Sequence, residues 1–227
     1  MQARANNPDY RTVMDGQRRI FSARRNALAI AILFGAGGGI GIMLAGASLP
    51  LMIELWGTGS WRYGWYIIGV ISVACLPLSL WAAARLSVPA QRNTAADGIK
   101  LHLIWRELAG YIGFAMGYIV YLTFLSAWMT DQQAPALLIS AVWIIMGVAL
   151  IASPFVWRGV LARHASGKPL AMILTGIAIG SALPLVLPAG GAVVISAVVF
   201  GLCVFMAPGA ITSFIRQNLP AESWAAA

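Results

Sequence analysis

The sequence predicts an all-α membrane protein with six transmembrane helices and both termini in the cytoplasm. Three observations lead there. Of its 227 residues, 60% are hydrophobic and 10% charged, and the mean hydropathy is +0.81, well outside the composition of a soluble domain. Uncharged stretches of the length that crosses a hydrocarbon core as a helix, about 20 residues, can be placed six times. Finally, of the 15 Lys and Arg, all but Arg62 fall before the first stretch, in alternate connections or after the last stretch. By the positive-inside rule, that distribution sets those segments in the cytoplasm.

Residues 1–26 form a basic segment carrying Arg4, Arg11, Arg18, Arg19, Arg24 and Arg25. Gln17-Arg18-Arg19-Ile20-Phe21 resembles a twin-arginine export signal, but such a signal carries soluble cargo, and here five more spans follow. The arginines therefore read as the charge that orients the first span. That span, 27–53, contains the run Leu33 to Gly46, whose glycines never reach the i, i+2, i+5 spacing of a dinucleotide-binding loop. They form G-x-x-x-G twice instead, at Gly35/Gly39 and Gly37/Gly41, the pattern that lets membrane helices approach backbone to backbone. At 100° per residue Gly37, Gly41, Ala45 and Ser48 share one stripe, and this stripe together with Gly35 and Gly39 is expected to form the packing face. Pro50 and Glu54 are expected to close the helix.

The second span is 63–84, followed by a basic connection with Arg85, Arg92, Lys100 and Arg106. In the third, 108–130, Gly110, Gly113, Gly117, Tyr121, Phe124 and Trp128 lie on one face with Tyr118 on its shoulder. Aromatic rings bearing hydroxyls suit a cavity that binds and releases an organic solute, so Tyr118, Tyr121, Phe124 and Trp128 are the candidate substrate-binding residues. The fourth span is 132–157. The run 169–215 is too long for one crossing, and the cluster from Pro184 to Gly191 is expected to be a turn dividing it in two. The last span carries Met206-Ala207-Pro208-Gly209, a helix-breaking stretch of the kind that can line a transport path.

Several chemistries are excluded. The formal charge of +8 follows the span boundaries, so it marks a bilayer rather than a nucleic acid. No ionisable residue stands in mid-span, where a proton-coupled site would keep one. His102 and His164 lie in loops 62 positions apart, which offers no metal-ligand spacing and no catalytic set at membrane depth. Ser166-Gly167-Lys168-Pro169 lacks the Ser or Thr that ends a phosphate-binding loop. Cys75 and Cys203 both fall in spans and predict no disulfide framework. No cofactor and no enzyme activity is implied.

Three stretches resemble the middle of a major facilitator superfamily (MFS) transporter, most nearly its YbfB/YjiJ-like branch. "GAGGGIGIMLAGASLP" is similar to that family's fifth helix and "GYIGFAMGYIVYLTFLSAWM" (110–129) to its seventh. "WRGVLARHASGKPLA" (157–171) resembles the degenerate loop motif G-x-L-a-D-R-x-G-K, matched by Gly159, Leu161, Ala162, Gly167 and Lys168, with Arg163 in place of the Asp and one extra residue before Gly167. The resemblance implies helices five to ten of a twelve-helix bundle. Residues 27–84 would close the first half, 85–107 would join the halves, 108–215 would open the second half, and 216–227 would be a truncated cytoplasmic tail. It implies secondary active transport of a small organic solute by alternating access in the cell inner membrane, the partners being the bilayer, the solute, and the remaining helices or a second copy of the chain. Two other readings fit the residues: a six-span protein that dimerises into a transporter or channel, and a non-transporting assembly subunit.

Overall fold

The computed structural model describes residues 37–85, 104–187 and 190–218. The basic segment 1–26, Gly35, most of the 85–107 connection and the tail from 219 onward lie outside the described residues. Within them the protein is helical throughout: α1 (Gly38–Trp56), a 3-10 turn (Thr58–Ser60), α2 (Trp61–Arg85), α3 (Trp105–Asp131), α4 (Ala136–Arg163), α5 (Lys168–Val186), α6 (Gly190–Val204) and α7 (Met206–Asn218). Six helical segments are long and apolar enough to cross a bilayer, the sixth being α6 and α7 together.

The core lies between α4, α5 and α6, where Phe200, Met146, Leu150, Ile173, Val142 and Val204 are fully enclosed. Gly201 allows α6 to press on α4: a Cβ there would stand 2.7 Å from the Met146 carbonyl oxygen. α2 is at the opposite extreme, with none of its most apolar window buried, and it touches the rest chiefly through α1 and the 3-10 turn. Arg62 lies over Trp61 at one end of α2 and Arg85 over Trp81 at the other, which are the amphipathic pairs that anchor a span at both membrane surfaces.

A membrane interior has no water to satisfy a polar group, and for two of the prolines inside helices a side chain takes over the carbonyl that the proline frees. Proline lacks the N–H that would bond the carbonyl four residues back. Pro154 thus frees the Leu150 carbonyl, and the Ser153 hydroxyl donates to it at 2.7 Å. Pro184 frees the Gly180 carbonyl, and Ser196 donates to it from α6. This is why Pro184 lies inside α5, which runs on to Val186, instead of starting the turn expected from the sequence. Pro50 likewise does not close α1. The helix continues to Trp56 and stops at Gly57, whose φ of +81° is a glycine conformation. There the buried Ser60 hydroxyl shares its one proton between the carbonyls of Gly57 (2.8 Å) and Met52 (3.0 Å). Among the described residues no buried side-chain nitrogen or oxygen lacks a partner.

At one end of the bundle Asn218 donates to the Ala165 carbonyl at 2.7 Å and Gln217 to that of Leu161 at 3.3 Å. Glu107 lies against Gly167, the N-cap of α5, where the positive end of the helix dipole favours a carboxylate. These contacts gather the start of α3, the α4–α5 turn and the end of α7, and with them Arg106, Arg163, Lys168 and Arg216.

Candidate functional site

α3 turns a row of rings inward. Tyr111 stacks on Phe114 with centroids 5.6 Å apart, and Phe114 on Tyr118 at 4.7 Å and 13° between planes. Opposite this row the sixth span is interrupted at Phe205, between α6 and α7. Phe205 and Pro208 face the rings, and Gly37 and Gly38 of α1 complete an open cleft of about 510 Å³. That volume lies in the range of small-molecule sites, roughly 300–1,000 Å³. Among the described residues its lining side chains are apolar apart from the hydroxyls of Tyr111 and Tyr118, and none is charged.

Tyr121, one turn beyond Tyr118, is fixed elsewhere. Its ring stacks on Phe200 at 4.0 Å, and its hydroxyl lies 2.6 Å from the Ser196 oxygen. Ser196 has one proton, and it goes to the Gly180 carbonyl, so Tyr121 donates to Ser196. The chain Tyr121, Ser196, Gly180 ties α3 to α6 and α5 behind the cleft. Trp128 packs half-buried against the core, and Phe124 points outward, 60% exposed. Of the four aromatic residues expected to bind solute, only Tyr118 lines this cleft. The inward face of α3 runs through Tyr111, Phe114, Tyr118, Tyr121 and Leu125, roughly 70° round the helix from the glycine-aromatic face read from the sequence. Gly113 and Gly117 meet nothing within 4 Å. Tyr111, Phe114 and Phe205 were missed; the signal that could have found the first two is the 3-4 spacing of rings at 111, 114 and 118.

The expected glycine contacts divide in the same way. Gly39 is buried against α4, where a Cβ would lie 2.7 Å from the Gly147 carbonyl oxygen. A Cβ on Gly46 would overlap the Trp143 ring, and Ser140 donates across the same seam to the Ala47 carbonyl at 2.8 Å. Gly37 and Gly41 meet nothing within 4 Å, so of the expected glycines α1 packs through Gly39, which at 100° per residue lies nearly half a turn from Gly37 and Gly41. Trp143 also reaches α3, its indole N–H donating to the Ser126 hydroxyl at 2.8 Å.

In the loop motif, Gly159 stands in the last turns of α4 with open space around it. The Leu161 carbonyl receives Gln217, Gly167 caps α5 against Glu107, and Lys168 is the exposed first residue of α5. No group of three or more His, Cys, Asp or Glu able to hold a metal occurs among the described residues.

The family described as "Uncharacterised MFS-type transporter YbfB" matches residues 13–227. The chain belongs to this family. No curated protein and no solved structure gives a match. Membership in the MFS makes this a multi-pass membrane protein of a transporter family, in keeping with its six candidate spans.

Proposed function

We propose that this MFS chain carries part of a solute path, and that it serves secondary active transport of a small organic solute across the cell inner membrane by alternating access. The observation that carries this reading is the uncharged aromatic cleft between α3, α7 and the start of α1. Tyr118, Tyr111 and Phe114 form its wall, while Tyr121, tied to Ser196 and Phe200, anchors α3 behind it. The end bearing Arg106, Arg163, Lys168 and Arg216 faces the cytoplasm by the positive-inside rule.

α1 meets α4 at a seam of bare backbone, and rocking at that seam would open the cleft to alternate sides. The exposed faces of α2 and the open side of the cleft fit further transporter helices. A second copy of the chain in that position is the competing arrangement, which cross-linking through α2 would distinguish.

The test uses inverted and right-side-out membrane vesicles from cells expressing the native gene, loaded with an isotope-labelled metabolite extract and compared with vesicles from a strain lacking the gene. At least one organic solute should move only when the gene is present, and Tyr118→Ala should cut its movement at least tenfold. Identical solute profiles in the two strains would overturn the reading.

A further inference from the structure

Phe114 is the middle ring of the row on α3. Tyr111 stacks on it from the preceding turn and Tyr118 from the following one, with centroids 5.6 Å and 4.7 Å away. A ring covered on both faces has only its rim to offer a cleft. The rim is the positive part of an aromatic quadrupole, and it is attracted to the face of another aromatic ring. A cation is held by a ring face and repelled by a rim, so this row is not built as a cage for an ammonium group.

The polar groups of the wall stand at the two ends of the row. Tyr111 and Tyr118 are seven residues apart, about 10 Å along α3. Among the described residues neither hydroxyl has a hydrogen-bond partner, whereas that of Tyr121 is taken up by Ser196. Every buried side-chain oxygen there does have a partner, so the Tyr111 and Tyr118 hydroxyls are accessible, and each can donate and accept. Tyr118 also lies twelve residues beyond Arg106, about 18 Å along α3, a depth at which an ion without a counter-charge is costly. On the opposite side a side chain at Gly37 would meet nothing within 4 Å, which leaves room for a flat body beside α1.

We propose that the cleft takes an uncharged, flat aromatic solute at least two rings long, lying lengthwise along α3 with its face on the rims of the row and a hydrogen-bonding group at each end for Tyr111 and Tyr118. The proposal rests on the transport reading and names the class of solute for that path. Tyr111 and Tyr118 are binding residues in this scheme, and Phe114 supplies the rim between them.

The test measures equilibrium binding to the full chain in lipid nanodiscs, with empty nanodiscs as the blank. The probe is p,p′-biphenol, which is flat, uncharged and hydroxylated at both ends. It should bind saturably, and Tyr111→Phe and Tyr118→Phe, which keep the stacked row intact, should each weaken it about fivefold, the net worth of one hydrogen bond. Unsubstituted biphenyl should bind more weakly than the diol and be indifferent to both substitutions. p,p′-Bicyclohexanol, with the same ends and no aromatic face, and the p,p′-dicarboxylate of biphenyl, with charged ends, should each bind at least tenfold more weakly than the diol. Gly37→Leu, which fills the space beside α1 without entering the core, should remove diol binding while leaving the size-exclusion profile unchanged. Equal binding of the bicyclohexanol, a preference for the dicarboxylate, or diol binding that ignores both Tyr→Phe substitutions would overturn the assignment. Gene-dependent movement of a solute in vesicles, with no diol binding here, sinks the solute class alone. The expected binding pattern without gene-dependent movement of any solute sinks the transport reading alone.

Discussion

Gly39 and Gly147 face each other across α1 and α4 so closely that a Cβ added to either would stand 2.7 Å from the carbonyl oxygen of the other. The approach is reciprocal, so neither helix can yield without the other. In lipid there is no hydrophobic drive between helices, and dispersion between closely packed backbones with weak Cα–H contacts has to hold them. This pair, with Gly46 against Trp143, is where α1 is attached to α4.

Leucine at either position should therefore separate the helices. Gly39→Leu and Gly147→Leu are expected to lower the folded fraction after detergent extraction several-fold, since overpacking costs about 1–3 kcal/mol even where neighbours can shift, and here the neighbour is backbone. Gly41→Leu should be tolerated. Fluorescence-detected size-exclusion chromatography of the three variants decides it, and equal profiles would mean that α1 packs by another face.

The buried hydroxyl of Ser196 should prove necessary only because Pro184 is present. Ser196→Ala leaves the Gly180 carbonyl without a donor in a place water does not reach, at a cost of about 1–3 kcal/mol. Pro184→Ala supplies a backbone N–H that can bond the same carbonyl within α5. The double variant should then recover most of the melting temperature lost by Ser196→Ala. Additive losses in the thermal melts would show that the serine acts through packing alone.

Orientation has a direct check. Single cysteines at Gly59 and Gln133, both exposed between spans, should react with an impermeant reagent applied outside intact cells, and one at Ser166 should react only in inverted vesicles. The opposite pattern would reverse the bundle in the membrane and place the Arg106, Lys168 and Arg216 end outside.

The span count was legible because a long apolar run carries its meaning locally: a stretch from 136 to 163 crosses a bilayer whatever it packs against. Which face turns inward was not legible in the same way. A membrane helix is apolar all round, so α3 offers no contrast in its sequence between its lipid side and its packed side, and the glycines at 113 and 117 turn out to stand in open space. In α1 two overlapping G-x-x-x-G pairs offer two offsets, and what selects Gly39 is Gly147, more than a hundred residues away. From sequence alone Pro184 reads as part of a turn, because the hydroxyl that makes it tolerable inside α5 belongs to Ser196 on the next helix. The interruption before Pro208 could be read because its cause and effect lie within one turn.

The aromatic residues of α3 should separate by function when transport and abundance are measured together. Tyr118 lines the cleft and is only half-buried. Tyr118→Ala should cut movement of the solute identified in native vesicles at least tenfold while leaving membrane abundance near normal, since the ring stacked on Phe114 contributes only about 0.5–1.5 kcal/mol beyond its area. Tyr121→Ala removes a ring packed on Phe200 together with the donor to Ser196, and a buried aromatic truncation costs about 3–5 kcal/mol. It should lower abundance and transport in parallel. Tyr121→Phe keeps the ring, leaves Ser196 still bonded to Gly180, and should be close to normal in both. Phe124→Ala, on the outward face at 60% exposure, should change neither. Transport loss confined to Phe124→Ala, with Tyr118→Ala unaffected, would move the solute path to the outer face of α3 and overturn the assignment of the cleft.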